Sequence, residues 1–247
     1  MILDLDAGNS RIKWRFSGRT GNARLGVYVV EHPETAPAAL IDVLQGQTAE
    51  VPQRIRVSSV RGADFAARFA QAANRQWQIE PEFAAVTHEA AGVRNAYENP
   101  SAMGVDRWLA LLAAFHQAGG SCCVLDCGSA MTFDWADADG RHQGGYIVPG
   151  LSLMRESLVG KTPALAVPLA PWGETAPGSS TATAIGNGIL VMAAGFAARC
   201  REQVVAVTPD CQWFLTGGDA HVLSAQLPWP HILAADLVLD GLALALP

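Results

Sequence analysis

Leu5-Asp6-Ala7-Gly8-Asn9-Ser10 follows one short apolar run and precedes another, Ile12 to Phe16. Leu125-Asp126-Cys127-Gly128-Ser129 does the same 120 residues later, after the run Cys122 to Leu125 and before Met131 to Trp135. Both stretches read as strand, Asp-x-Gly-polar turn, strand, with a tryptophan (Trp14, Trp135) closing the second strand. A third strand fits each copy, Gly26 to Glu31 and Gln143 to Val148, and helical segments follow. The offset is nearly half of the 247 residues, so the chain reads as an internal duplication. Strands then helices, twice over, predict two similar α/β halves, 1–118 and 119–247, with a cleft between them.

Composition agrees with that reading and removes other classes. The length suits one large domain or two of about 120 residues each, and a chain this size buries enough surface to need no staples. Half the residues are apolar and 16% are charged, which excludes a disordered or coiled-coil protein. Seventeen cations against 23 anions leave a net charge of −6, so a nucleic-acid groove is not expected. No segment approaches about 18 uninterrupted apolar residues, so no membrane span is expected. Met1 to Asp6 lacks the basic start of an export signal, and a cytoplasmic location is expected. Five cysteines, an odd number at low density, fit reduced thiols. Cys122 and Cys123 are adjacent in a strand-like run and would face opposite ways, so they and Cys127 read as buried thiols rather than metal ligands.

Three helices stand out by apolar spacing. Phe65, Phe69, Ala72 and Ala73 make one stripe; Trp108, Leu111, Leu112 and Phe115 make another, starting just after Gly104. Ile185, Ile189, Met192 and Phe196 make the third, with Thr181 placed to cap its start. Shorter strands fall at Arg54 to Val60 and Trp213 to Thr216, and Pro163 to Gly178 reads as a long loop.

An Asp-x-Gly turn facing a cleft can handle phosphate, because glycine lets the backbone approach and offers N–H groups to anionic oxygens. Asn9 and Ser10 add neutral donors, and Lys13 can place a point charge on the outer phosphates. Only one other lysine exists, Lys161. An aspartate in such a turn would hold magnesium rather than touch phosphate. No Walker sequence is present. Alone, Asp-x-Gly-Asn-Ser is equally an ordinary tight turn; two copies at half-chain spacing favour a nucleotide. A further element, Tyr97 to Trp108, contains Gly104-Val105-Asp106-Arg107. It places an acid–base pair at the first turn of a helix, where Asp106 could favour the helix dipole and Arg107 could simply be solvated. Gly144-Gly145-Tyr146-Ile147-Val148-Pro149-Gly150 is a strand ending in a turn, or a strand that a ligand approaches closely.

Taken together, Asp6-x-Gly8-Asn9-Ser10-x-x-Lys13, Gly104-Val105-Asp106-Arg107, Asp126-x-Gly128-Ser129-Ala130-x-Thr132 and Gly144-Gly145-x-Ile147-x-Pro149-Gly150 closely resemble the type III pantothenate kinases. The match continues through Thr181-x-x-Ala184-x-x-x-Gly188, Thr216-Gly217-Gly218 and Leu237-x-Leu239-x-Gly241-Leu242. The Gly-Val-Asp-Arg-Trp and Gly-Gly-Tyr-Ile forms look most like the branch first named for Bvg accessory factors.

The resemblance implies a duplicated ribonuclease-H-like fold of the actin, acetate-kinase and sugar-kinase superfamily. It implies ATP-dependent phosphorylation of pantothenate to 4′-phosphopantothenate, the first step of coenzyme A biosynthesis. Asp6, Ala7, Gly8, Asn9, Ser10, Arg11, Ile12 and Lys13, with Ser129, would bind ATP, and Asp6 its magnesium. Tyr97, Gly104, Val105, Asp106, Arg107 and Thr181 would bind pantothenate, with Asp106 as the base and Thr181 reaching in across a homodimer. Asp126 would hold a monovalent cation, potassium or ammonium, and Gly217 and Gly218 resemble the adenosine motif. Ser129, Val105, Met131 and Thr183 depart from the family pattern; Met131 is expected to add bulk to the second turn. The alternatives are a related small-molecule kinase on the same fold and a nucleotide-binding accessory regulator without turnover.

Overall fold

Alternation along Ile2–Ala7 sets the first sheet: Leu3, Leu5 and Ala7 are fully buried on one face, and Asp4 lies on the other. The computed structural model describes residues 1–18, 24–30, 36–48, 50–161, 168 and 171–247. These divide into two units, Met1–Ala113 with Leu237–Pro247, and Ala114–Asp236. The sequence boundary at 118/119 falls at the end of the helix that runs from one unit into the other.

In the first unit β1 (Ile2–Ala7) pairs antiparallel with β2 (Arg11–Ser17), and β2 with β3 (Arg24–Val29). Helix α1 (Ala36–Gln47) leads to β4 (Arg54–Ser59), parallel to β1; α2 (Gly62–Trp77) leads to β5 (Glu82–Phe83), parallel to β4. Leu3, Leu5, Ile12, Trp14 and Phe16 of the sheet pack against Leu40 and Leu44 of α1 and Phe65 and Phe69 of α2. A hairpin of β6 (Glu89–Ala90) and β7 (Val93–Arg94) then precedes α3 (Val105–Ala118). Its two turn residues, Ala91 and Gly92, both have positive φ, as a tight two-residue hairpin requires.

The second unit repeats the scheme. Strands β8 (Cys122–Cys127), β9 (Ala130–Ala136) and β10 (His142–Pro149) pair antiparallel in sequence. Helices α4 (Leu151–Lys161) and α5 (Thr181–Val205) lead to β11 (Gln212–Thr216), parallel to β8, and α6 (Ala220–Ser224) leads to β12 (Ile232–Leu233), parallel to β11. The strand orders, β3-β2-β1-β4-β5 and β10-β9-β8-β11-β12, correspond place for place and in direction. The duplication read from six-residue motifs is therefore a duplication of whole sheets.

Details differ from the sequence reading. The third strand of the first copy ends at Val29, and Glu31 lies outside the described residues. Trp14 does not close its strand, which runs on to Ser17. Helix α5 is capped by Ser180, not Thr181, which is its first residue. Much of the loop from Pro163 to Gly178 lies outside the described residues; 171–178 has neither helix nor strand. Helix α5 is 25 residues long and, over an 18-residue window of mean hydropathy 1.5, apolar enough by composition to cross a membrane. Its residues Ile189, Leu190, Ala193, Ala197 and Val204 form the core of the second unit with Leu125, Phe133 and Trp213.

The last helix, α7 (Leu237–Ala245), packs with the first unit. A side chain on Gly241 would overlap the Leu109 carbonyl, so glycine sets the close approach of α7 to α3. The opposite face of the sheet fixes α7 by charge. Asp4 is fully buried and accepts hydrogen bonds from Arg56 Nε at 2.7 Å and Arg15 Nη2 at 3.4 Å. Arg15 also bonds Asp240 and the Leu239 carbonyl, and Arg56 the Leu246 carbonyl. A buried carboxylate so placed is satisfied only as part of this network, and removing it leaves two desolvated guanidinium groups. Asp4→Ala is expected to cost about 3–5 kcal/mol of stability in urea unfolding. Glu82→Ala, which breaks an exposed pair with Arg54, should leave the urea midpoint nearly unchanged.

Candidate functional site

The first turn joins β1 to β2, and the antiparallel register sets Asp6 directly opposite Lys13. Cross-strand partners share a face, so both side chains leave the sheet on the face away from Leu5 and Ala7. Ala7 and Ile12 turn their side chains into the core, so only their backbone can serve a ligand. Asn9, Ser10 and Arg11 are exposed.

The carbonyls of this turn are all engaged on the protein side. Val60 N–H donates to Ala7 O at 3.3 Å, and Val30 N–H to Ser10 O at 3.1 Å. Between them, Arg61 Nη1 donates to Gly8 O at 3.0 Å and Asn9 O at 2.6 Å. In a trans peptide the C=O and the following N–H point opposite ways. Pinning the Gly8 and Asn9 oxygens therefore aims the N–H groups that follow them, those of Asn9 and Ser10, away from Arg61, a direction that suits an anion.

The second turn joins β8 to β9. Asp126 is opposite Thr132 on one side and in register with Thr216 on the other. Two glycines surround its carboxylate: a Cβ on Gly128 would lie 3.4 Å from Asp126 Oδ1, and one on Gly217 would lie 2.5 Å from it. Gly217 also has φ +90°, so both conformation and space exclude a side chain there. Gly150 N–H donates to Ser129 O, Asp219 N–H to Cys127 O, and a Cβ on Gly150 would overlap the Gly128 carbonyl. Ser129 is exposed. Met131 does not crowd the turn as expected: it is buried in the core of the second unit, because alternation along β9 turns it inward.

A third group of residues lies at the start of α3. Asn99 caps a single 3-10 turn, Pro100–Ala102, and α3 begins with Trp108 N–H bonding Gly104 O. Asp106 Oδ1 accepts the Arg107 N–H at 2.8 Å, where the positive end of the helix favours a carboxylate. A Cβ on Gly104 would lie 2.7 Å from that oxygen, so a side chain there would press on the carboxylate. Arg107 is not a solvated arginine: it is 7% exposed and donates to the Tyr97 hydroxyl at 3.0 Å. Val105 is the first residue of α3, where it takes no part in that bond.

Thr181 is exposed at the start of α5, on an open groove of about 780 Å³ shared with Leu158, Ile185, Ile189 and Met192. Thr183 completes the cap of α5: its hydroxyl accepts the Ser180 N–H at 3.0 Å while Ser180 Oγ accepts the Thr183 N–H. That position usually holds glutamate in a capping box, so threonine here preserves the helix start.

Cys122, Cys123 and Cys127 are all buried and free. Burial first, then the charges of Asp126 and Asp219, pushes the Cys127 thiol up to about 12, which keeps it protonated. Among the described residues no group of three or more His, Cys, Asp or Glu is placed to hold a metal ion.

The sequence profile of the type III pantothenate kinase family matches residues 2–203. The chain belongs to this family. A type III pantothenate kinase of Ectopseudomonas mendocina is 38% identical over 252 residues, covering all of this chain and 99% of that one. Among solved structures, a protein described as a 2-dehydro-3-deoxygalactonokinase of Sinorhizobium meliloti superposes with a TM-score of 0.58 at 17% identity, covering 99% and 98% of the two chains. The activator of the 2-hydroxyisocaproyl-CoA dehydratase of Clostridium difficile, solved with bound ADPNP, gives 0.51 at 11%, covering 99% and 92%. These likenesses show the fold: a duplicated ribonuclease-H-like α/β architecture.

As a type III pantothenate kinase, the protein phosphorylates pantothenate at the expense of ATP, in coenzyme A biosynthesis. Within each unit the structure brings motif residues together: Asp6 with Lys13, Tyr97 with Arg107 and Asp106, and Asp126 with Gly128 and Gly217. Sequence reasoning missed Arg61, which sits in no motif and reaches the first turn only through the pairing of β1 with β4. It also missed Gly150 as the residue that closes on the second turn.

Proposed function

We propose that Asp106 is the base for pantothenate phosphorylation and that the two Asp-x-Gly turns serve ATP. The observation that carries this is the local build of α3: Gly104 makes room for a carboxylate fixed at the helix start, beside a buried Arg107–Tyr97 pair. Asp106 takes the proton from the primary hydroxyl as that oxygen attacks the γ-phosphorus and ADP leaves. Arg107 and Tyr97 orient the polar acceptor. Phosphoryl transfer has a loose transition state, so positioning and charge neutralisation outweigh proton removal.

The donor set fits a magnesium nucleotide. Turn N–H groups and Lys13 suit phosphate oxygens, and Asp6 is the carboxylate available to magnesium, whose other ligands would be phosphate oxygens and water. When bound, the ion neutralises phosphate charge. Asn9, Ser10, Arg11 and Ser129 stand exposed at the turns and would contact the nucleotide. Asp126 would hold a monovalent cation such as potassium or ammonium. Its carboxylate lies against two glycines, where backbone carbonyls can approach, and a second carboxylate near ATP calls for a compensating charge. Buried free thiols fit a reducing, cytoplasmic setting.

We further propose a homodimer in which Thr181 reaches the partner's acceptor pocket. The apolar groove beside Thr181, with Met192 64% exposed, suits a second copy of this chain.

Asp106→Asn keeps the shape and removes the base, and should lower turnover about a hundredfold with ATP affinity nearly unchanged. Steady-state kinetics check this, and near wild-type turnover would contradict it. Mixing Asp106→Asn chains with Thr181→Trp chains should restore activity, because each heterodimer then carries one intact pocket. Inactive heterodimers would place the pocket within one chain.

A further inference from the structure

We infer that Arg61 is a positioning residue for the first phosphate turn: its guanidinium holds the Gly8 and Asn9 carbonyls so that the turn presents its N–H groups to ATP. This rests on the reading that the Asp6–Lys13 turn serves ATP. Arg61 follows β4, and its own N–H is fixed by Ser59 Oγ at 3.3 Å. Its side chain crosses the Phe65 ring at 5.2 Å before Nη1 meets the two carbonyls. A charged donor bonds carbonyls more strongly than a neutral one and polarises the peptide groups it touches. The N–H groups that follow, those of Asn9 and Ser10, are aimed away from Arg61 and made more positive.

The second unit shows what Arg61 replaces. Cys127 O is held by Asp219 N–H as Ala7 O is held by Val60 N–H, each from the segment after the parallel neighbour strand. Ser129 O, the counterpart of Asn9 O, is held by the Gly150 N–H. Main-chain donors thus hold Cys127 O and Ser129 O of the second turn, whereas in the first turn one side chain holds both Gly8 O and Asn9 O. That side chain adds a positive charge behind the turn that also carries Lys13.

The test compares Arg61→Met, which keeps the stem over Phe65, with Arg61→Lys, which keeps the charge without the fork. KM for ATP, KM for pantothenate, kcat and the backbone order parameters of Asn9 and Ser10 are measured, with Lys13→Ala alongside. Arg61→Met should raise the ATP KM about tenfold or more with the pantothenate KM within twofold, and Arg61→Lys should recover part of it. The amide order parameters should fall from the rigid range near about 0.85 toward about 0.6 in Arg61→Met. An unchanged ATP KM, while Lys13→Ala raises it, would overturn the role of Arg61 and leave the ATP reading standing. If Lys13→Ala leaves the ATP requirement unchanged, the ATP reading fails, and so does this inference. Equal losses toward both substrates with rigid amides would make Arg61 merely structural and overturn the proposal. Should Arg61→Met not fold, Arg61→Lys decides by the same measurements.

Discussion

Everything at the candidate site depends on where backbone carbonyls are spent. Each sheet turns back on itself between its first two strands, and a tight turn leaves peptide groups that the ladder cannot satisfy. The protein anchors the carbonyls: Ala7, Gly8, Asn9 and Ser10 in one turn, Cys127 and Ser129 in the other. Once the oxygens are fixed, the planar peptide decides where the N–H groups point. Glycines stand where a neighbouring segment presses closest, Gly150 on the second turn and Gly217 against Asp126. The chemistry follows from that arrangement, since an acid on the adjacent strand residue is carried to the same edge in both sheets.

This constraint also explains what the sequence revealed. Asp6, Gly8, Asp126 and Gly128 were legible as turn residues, because a tight turn between two strands tolerates few residue types and the pattern occurs twice. The start of α3 was legible in part. The glycine and the acid are visible as a helix-start pattern, but the burial of Arg107 follows from Tyr97, ten residues away, which spacing does not show. The cap of α5 was misassigned by one residue because Ser180 and Thr181 both suit the role and only geometry selects between them.

What stayed hidden is long-range. Asp4, Arg15 and Arg56 read as ordinary strand charges; Asp4 and Arg56 are buried and Arg15 partly so because α7 returns to cover them, with Arg15 bonding a carbonyl 224 positions away. Nothing local marks Leu237–Ala245 as belonging with the first sheet. Gly241 does so only once Leu109 lies against it. Helix α4 lacks a strong apolar stripe, so a scan for apolar spacing passes over it. Arg61 is of the same kind, a residue whose meaning comes from strand pairing rather than from its neighbours.

We propose that Asp6 serves phosphoryl transfer through magnesium and Asp126 through a monovalent cation. Pantothenate-dependent ADP release, measured in potassium and in sodium at equal ionic strength for the wild type, Asp6→Asn and Asp126→Asn, tests it most directly. The account predicts potassium-activated turnover in the wild type, a severe loss in Asp6→Asn under both ions, and loss of the potassium effect in Asp126→Asn. Equal wild-type rates in the two salts, or full potassium activation surviving in Asp126→Asn, would contradict it.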